Sequence, residues 1–334
     1  MHPASPASIP LQRPLASLLP LGALLLSALQ APFLSAAAPA TDPVGYQRTT
    51  LPAPRNEPAT RRALGVPFER PVVFTGAAAS VDATLHCLNA SWSPAQFTAQ
   101  PHFVRFRSGA GAGLTFLITA HSTDALTLDT AGAALASLCA AGNVFEIFPA
   151  HSLGSLFGST ASSVPLRAGT SETEADLVRL HDGTQWLTYY FDATHWRKTG
   201  STLSQDNTVV APGQGLFLIC KGTQPVTLTF TGTVRPATDP APAAALRDTL
   251  LSLHSPLATR LDALGLQNLP NWKTGPSASL ADTARLWNGS SWNIYYHTGA
   301  NWEAVGSFAN QNTTPVPANG AVFLHRTAAP QPPQ

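Results

Sequence analysis

The residues able to do chemistry are scattered along this chain, and few stand at the spacings that chemistry requires. One glycine-rich loop, Gly109-Ala110-Gly111-Ala112-Gly113, has the composition of a phosphate cradle. Such a cradle needs a helix N-terminus behind it and usually a lysine, whereas the apolar run LTFLITA follows. The loop therefore reads as a hairpin turn. Ser155 lies in Gly154-Ser155-Leu156-Phe157-Gly158, whose spacing is not that of a GxSxG nucleophile elbow. Ten histidines form no HxH or HExxH pattern, and Cys87, Cys139 and Cys220 form no CxxC, so neither metal nor cofactor is expected. Asp176 and Asp282 recur at matched places, but an aspartate entering a strand or turn reads as a backbone cap. The expectation is a protein that is not an enzyme. A secreted hydrolase gathering acids and histidines from separate strands is the third reading.

Aromatic residues give the second kind of chemistry, stacking on sugar rings. Residues 175–190 read ADLVRLHDGTQWLTYY and residues 281–296 read ADTARLWNGSSWNIYY, identical at eight of sixteen positions and 106 residues apart. Side chains alternate between the faces of a strand. One face carries Trp186, Thr188 and Tyr190 in the first copy and Trp292, Ile294 and Tyr296 in the second. It keeps its Trp and Tyr in both copies and is expected to be the core. The other carries Leu187, Tyr189 and Phe191, against Asn293, Tyr295 and His297. It turns polar in the second copy, which sends Tyr295 toward solvent. Tyr189, Tyr295 and His297 are therefore the candidate ligand-binding residues of a glycan-binding alternative. The competing reading has Tyr295 covering a cross-strand neighbour.

The elements that position these residues are short strands. Thirty prolines and 24 glycines argue against long helices. The duplication extends through Trp196 and Trp302, and then through Pro212-Gly213-Gln214-Gly215 and Pro317-Ala318-Asn319-Gly320 to the closing runs LFLIC and AVFL. Asp182-Gly183 and Asn288-Gly289 are dipeptides suited to type I′ hairpin turns. Between residues 72 and 149 come VVFTGAAASV, ATLHCL, HFVRFRS, LTFLITA, ALTLDT and NVFEIFP, six β runs that suggest a small antiparallel barrel. The expected fold is all-β: two related antiparallel β-sandwich or barrel-like units, the first interrupted by the small barrel. The domains are residues 41–71 with 150–234, the insertion 72–149, a second unit 235–328, and a disordered tail 329–334.

Composition bounds the partners. Only 11% of residues are charged and the net charge is +1, which excludes a nucleic-acid binder held by a basic surface. Residues 1–40 read as a signal peptide: Arg13, an apolar run from Leu15 to Leu29 interrupted by Pro20, and Ala38-Pro39-Ala40 before Thr41. A permanent anchor is the rival reading, but the run is shorter than a spanning helix needs. No transmembrane segment is expected in the mature chain. The protein is expected in the periplasm, on the outer surface or outside the cell. The three cysteines read as buried thiols, with a Cys87–Cys139 bridge the competitor.

The hairpin Val104-Arg105-Phe106-x-Ser108-Gly109-Ala110-x-Ala112-Gly113 with the later FEIFP resembles small β-barrel units of phage tail and bacterial surface proteins. Other features span nearly the full chain. They are Asp42-Pro43-Val44-Gly45, Arg70-Pro71-x-x-Phe74-Thr75-Gly76, the link from Phe145 to Phe157, and Tyr189-Tyr190 with Trp196-Arg197-Lys198. Together they resemble a secreted paralogous family of Verrucomicrobia, β-rich and signal-peptide-bearing. The resemblance implies export and a β-rich fold, and no activity. The second copy has Glu303-Ala304 opposite Arg197-Lys198, which argues against those charges being essential. The expected function is a structural or adhesive role at the cell envelope or outside the cell, with a cell-surface protein or a polysaccharide as the partner classes.

Overall fold

A computed structural model describes residues 44–234, 248–253 and 257–327. The expected signal peptide and disordered tail lie outside them. The fold is all-β. Six strands close into a barrel in the order Phe74–Val81, Leu85–Cys87, Ala125–Asp129, Thr115–His121, His102–Phe106 and Val144–Pro149. These are the six runs read from the sequence. Leu85, Val104, Phe106, Leu126, Phe145 and Ile147 fill its interior, so it is a packed core and not a channel. Cys87, Cys139 and Cys220 are free and buried, so the bridge between the first two does not form.

Two five-stranded antiparallel sheets follow one plan. The first runs Trp196–Lys198, Trp186–Phe191, Leu177–His181, Leu216–Cys220, Thr60–Leu64. The second runs Trp302–Ala304, Trp292–His297, Thr283–Trp287, Ala321–His325, Asp248–Ser252. A further three-stranded sheet places Val226–Val234 between Val44–Leu51 and Phe68–Glu69. Its Leu51, Phe68, Leu228 and Phe230 join Leu180, Tyr189 and Trp196 in one core beneath the first sheet. Among the described residues, the second sheet has no such cover. Leu261, which precedes the 3-10 turn Asp262–Leu264, and Leu266, which opens a second at Leu266–Asn268, share its core with Tyr295 and Trp302.

The run LFLIC is buried at all five positions because its strand is covered on both faces. Leu216, Leu218 and Cys220 enter the first core, whereas Phe217 and Ile219 point the other way, into a cluster with Leu250, Ala321 and Phe323 of the second sheet. The first sheet is thus the middle layer of three.

The hairpin tips correct one expectation. A type I′ turn needs positive φ at both central residues, but only Gly183 (98°) and Gly289 (108°) have it. The loops span four residues, from His181 opposite Trp186 and from Trp287 opposite Trp292. In each, one side chain holds the turn: Asp182 Oδ1 accepts from the amides of Thr184 and Gln185 (both 2.9 Å), and Asn288 Oδ1 accepts from those of Ser290 and Ser291. Asp and Asn were chosen here for their side-chain oxygen.

Asp176 and Asp282 are buried and serve the backbone. Asp176 accepts from the amides of Arg167 (2.8 Å), Lys221 (2.6 Å) and Gly222 (3.2 Å). Asp282 accepts from those of Lys273 (3.0 Å) and Thr327 (2.8 Å), and pairs with buried Arg326. Each carboxylate locks the entry of a central strand to the segment leaving the neighbouring strand.

The barrel enters the chain after Phe68–Glu69 and leaves it at His151. There His151 Nε2 donates to the Phe68 carbonyl (3.0 Å), and Arg105 of the barrel reaches Glu69 (2.6 Å) and Glu146 (2.9 Å). Burial pushes the His151 ring down to about 4 from 6.5, against the pull of the Phe68 carbonyl and with help from the Arg70 charge. The unfolded chain takes up this proton near pH 6.5, whereas the folded chain refuses it until about pH 4. Stability is therefore complete above pH 6.5 and falls as pH drops to 4, by about 3 kcal/mol. Urea unfolding across that window should show the decline in the wild type and a flatter profile in His151→Gln; an unchanged slope in the variant would contradict the assignment. Trp196 and Trp302 are fully buried at matched places. Replacing either by Ala should cost ~3–5 kcal/mol in the same assay, and a loss below ~1 kcal/mol would be inconsistent with their packing.

Candidate functional site

The tyrosine-bearing strands depart from the sequence expectation at Tyr295, expected toward solvent, and at Trp186 and Trp292, expected in the core. Tyr295 is 5% exposed and Tyr189 3% exposed, so neither offers a platform to a ligand. Tyr189 lies in the core beneath the first sheet, where burial raises its hydroxyl pKa. His297 is half-buried, edge-on to Trp302 at 5.3 Å, and burial lowers its ring. Three candidate residues thus belong to the interiors of their own units. The alternative that rested on them, glycan binding through Tyr189, Tyr295 and His297, loses its exposed surface.

The opposite face, expected to be core, buries Tyr296 and leaves its other residues half-buried. Trp186 and Trp292 are half-buried where the two sheets meet. Phe217 stands between Trp287 and Trp292, with ring centroids 5.0 and 5.7 Å away. Phe323 stands between His181 and Trp186, at 5.1 and 5.7 Å, and touches Trp292 at 5.8 Å. Two of these five contacts, Phe217–Trp287 and Phe323–His181, are edge-to-face, which the ring quadrupoles favour. Trp287 Nε1 also donates to the Arg61 carbonyl (3.0 Å), tying the second sheet to the edge strand of the first.

This seam leaves a cleft of about 240 Å³ lined by Arg61, Arg179, Trp186, Phe217, Trp287 and Trp292. That is below the roughly 300–1,000 Å³ usual for drug-sized ligands. The signal for it was present in the sequence: an arginine two residues from a histidine or tryptophan, before an Asx turn and a second tryptophan, in both copies.

A second, polar cleft of about 430 Å³ is lined by Arg70, Gln100, Ser155, Ser204, Asp206 and Asn207 among others. It borders a His–Asp pair: His195 Nδ1 donates to Asp206 Oδ2 at 2.8 Å. Burial opposes ionisation of Asp206, but bonds from His195, the Trp196 amide and Ser204 outweigh it and lower its pKa. The Ser204 hydroxyl donates to the aspartate (3.0 Å) and not to the imidazole, so it is not placed as an activated nucleophile. The Ser155 hydroxyl is engaged in a capping box with Ser152. The glycine-rich loop is a barrel turn, with the Gly113 amide donating to the Phe106 carbonyl (2.7 Å). Burial raises the Cys220 thiol to about 12, which leaves it inert as a nucleophile. Among the described residues, no group of three or more His, Cys, Asp or Glu could hold a metal ion. None of the described helices is long and apolar enough to cross a membrane.

The chain matches no family model, no curated protein and no solved structure.

The burial pattern orders the indoles by reactivity. Limited oxidation of the folded protein with N-bromosuccinimide, read by peptide mass spectrometry, should modify Trp186, Trp287 and Trp292 before Trp196 and Trp302. Earlier modification of Trp196 or Trp302 would be incompatible with the seam as described.

Proposed function

We propose that the protein is an exported, non-catalytic β-rich protein with a structural or adhesive role at the cell envelope or outside the cell. One comparison between the sheets carries this reading. In the first sheet, Asp206 Oδ1 accepts from the Trp196 amide (2.7 Å) and Oδ2 takes the His195 ring. In the second, Asn312 Oδ1 accepts from the Trp302 amide (2.9 Å), and its Nδ2 reaches Asn301 Oδ1 (3.4 Å). Amides that cannot transfer protons at neutral pH make the same loop contacts as the imidazole and carboxylate. The task common to both pairs is anchoring the loop, which supports a structural assignment for the His195–Asp206 pair. The resemblance to secreted proteins of Verrucomicrobia accords with export.

The test uses wild type and the double variant His195→Asn with Asp206→Asn, which copies the second sheet into the first. Both should fold, adhere equally to intact bacterial cells, and show no turnover of ester, peptide or glycoside substrates. Turnover by the wild type that the double substitution abolishes would contradict the proposal.

A further inference from the structure

The two sides of the seam are built alike but finished differently. Arg179 and Arg285 hold matched positions, opposite Phe217 and Phe323 in their ladders. The Arg285 guanidinium lies 5.7 Å over the Phe323 ring, and its Nε reaches Thr283 Oγ1 at 3.5 Å. On that side the position matched to Trp287 is His181, which is buried, edge-on to Phe323 and Trp186, with Nδ1 3.1 Å from the Asp248 carbonyl. On the cleft side, Arg179 Nε is buried with no hydrogen-bond partner among the described residues. Neither Arg179 nor Arg61 makes an ion pair with a described residue.

A buried, unpartnered guanidinium nitrogen costs free energy that an anionic group would recover. Beside it stand the half-buried indoles of Trp186, Trp287 and Trp292, apolar faces of the kind that pack against sugar rings. We propose that this cleft binds a short segment of an acidic polysaccharide, with its carboxylates on Arg61 and Arg179 and a sugar ring against the indoles. The proposal rests on the adhesive reading above and gives it a ligand class. A neutral glycan would bring no charge to the unpartnered Arg179 nitrogen. A second copy of the chain would have to bring carboxylates into a recess the size of a few residues.

The probe is a uronic acid oligomer, tetragalacturonate, titrated calorimetrically into the full exported chain, with its methyl ester as the neutral counterpart. The acid form should bind, more weakly as salt rises, and the ester should not. Arg61→Gln with Arg179→Gln should weaken binding by about tenfold or more while the melting temperature holds. If the double variant fails to fold, Arg61→Gln alone, on an edge strand, carries the same test, and ligand-induced change in tryptophan emission provides a second readout. Absence of binding to the acid form, equal binding of the ester, or unaltered affinity in a folded variant would overturn the proposal. Self-association that depends on these arginines, without uronate binding, would overturn it too. Adhesion to cells is measured in parallel. Adhesion without uronate binding removes the cleft proposal and leaves the adhesive reading; uronate binding without adhesion does the reverse.

Discussion

Two phenylalanines, Phe217 and Phe323, hold the sheets of this protein together. Each sits on the strand next to an edge of its own sheet and enters a ring cluster that includes tryptophans of the other sheet: Phe217 meets Trp287 and Trp292, and Phe323 meets Trp186. The contact lets a five-stranded sheet be buried on both faces, which is why its strand Leu216–Cys220 is apolar without alternation. It also dictates where the structure stays open. The cross-sheet rings meet at angles from 28° to 88°. The space they leave is the cleft, and the arginines beside Phe217 stand at its walls.

Polar residues in the remaining structure work for the backbone. Asp176, Asp182, Asp192, Asp206 and Asp282 each accept amide bonds that hold a turn or a strand entry. A chain with so few charges, folded into short strands with many turns, has many loop amides to satisfy. Carboxylates and amides of Asx residues satisfy them locally. The barrel is fastened by the same economy of charge: one buried Arg105 reaches an acid from the barrel and an acid from the strand that precedes it.

Much of this was legible in the sequence, and the failures are instructive. The six barrel strands were readable because Gly, Ser, Asp and Pro separate each run from the next. Residues 175–190 and 281–296 aligned because their turn and ring positions share one plan. Trp186 and Trp292 were misassigned to the core because their recurrence was equated with burial. What the copies share is the surface where they meet. Their own cores are closed by different neighbours, a three-stranded sheet over Tyr189 and two short 3-10 turns near Tyr295, and no local pattern encodes that difference. The type I′ turns failed for a related reason. Asp182 and Asn288 were read for backbone tolerance, whereas their oxygens do the work.

The account depends on rings of the two sheets pressing on one another, and a double-mutant cycle across the seam reads that contact directly. Phe217 and Trp292 lie 5.7 Å apart between centroids and come from different sheets. Urea unfolding of the wild type, Phe217→Leu, Trp292→Leu and the double variant should give a coupling energy of about 0.5–1.5 kcal/mol, as expected of packed aromatic pairs. Single losses that add within ~0.3 kcal/mol would mean that the rings do not touch in solution, and that the seam and its cleft are not as described here.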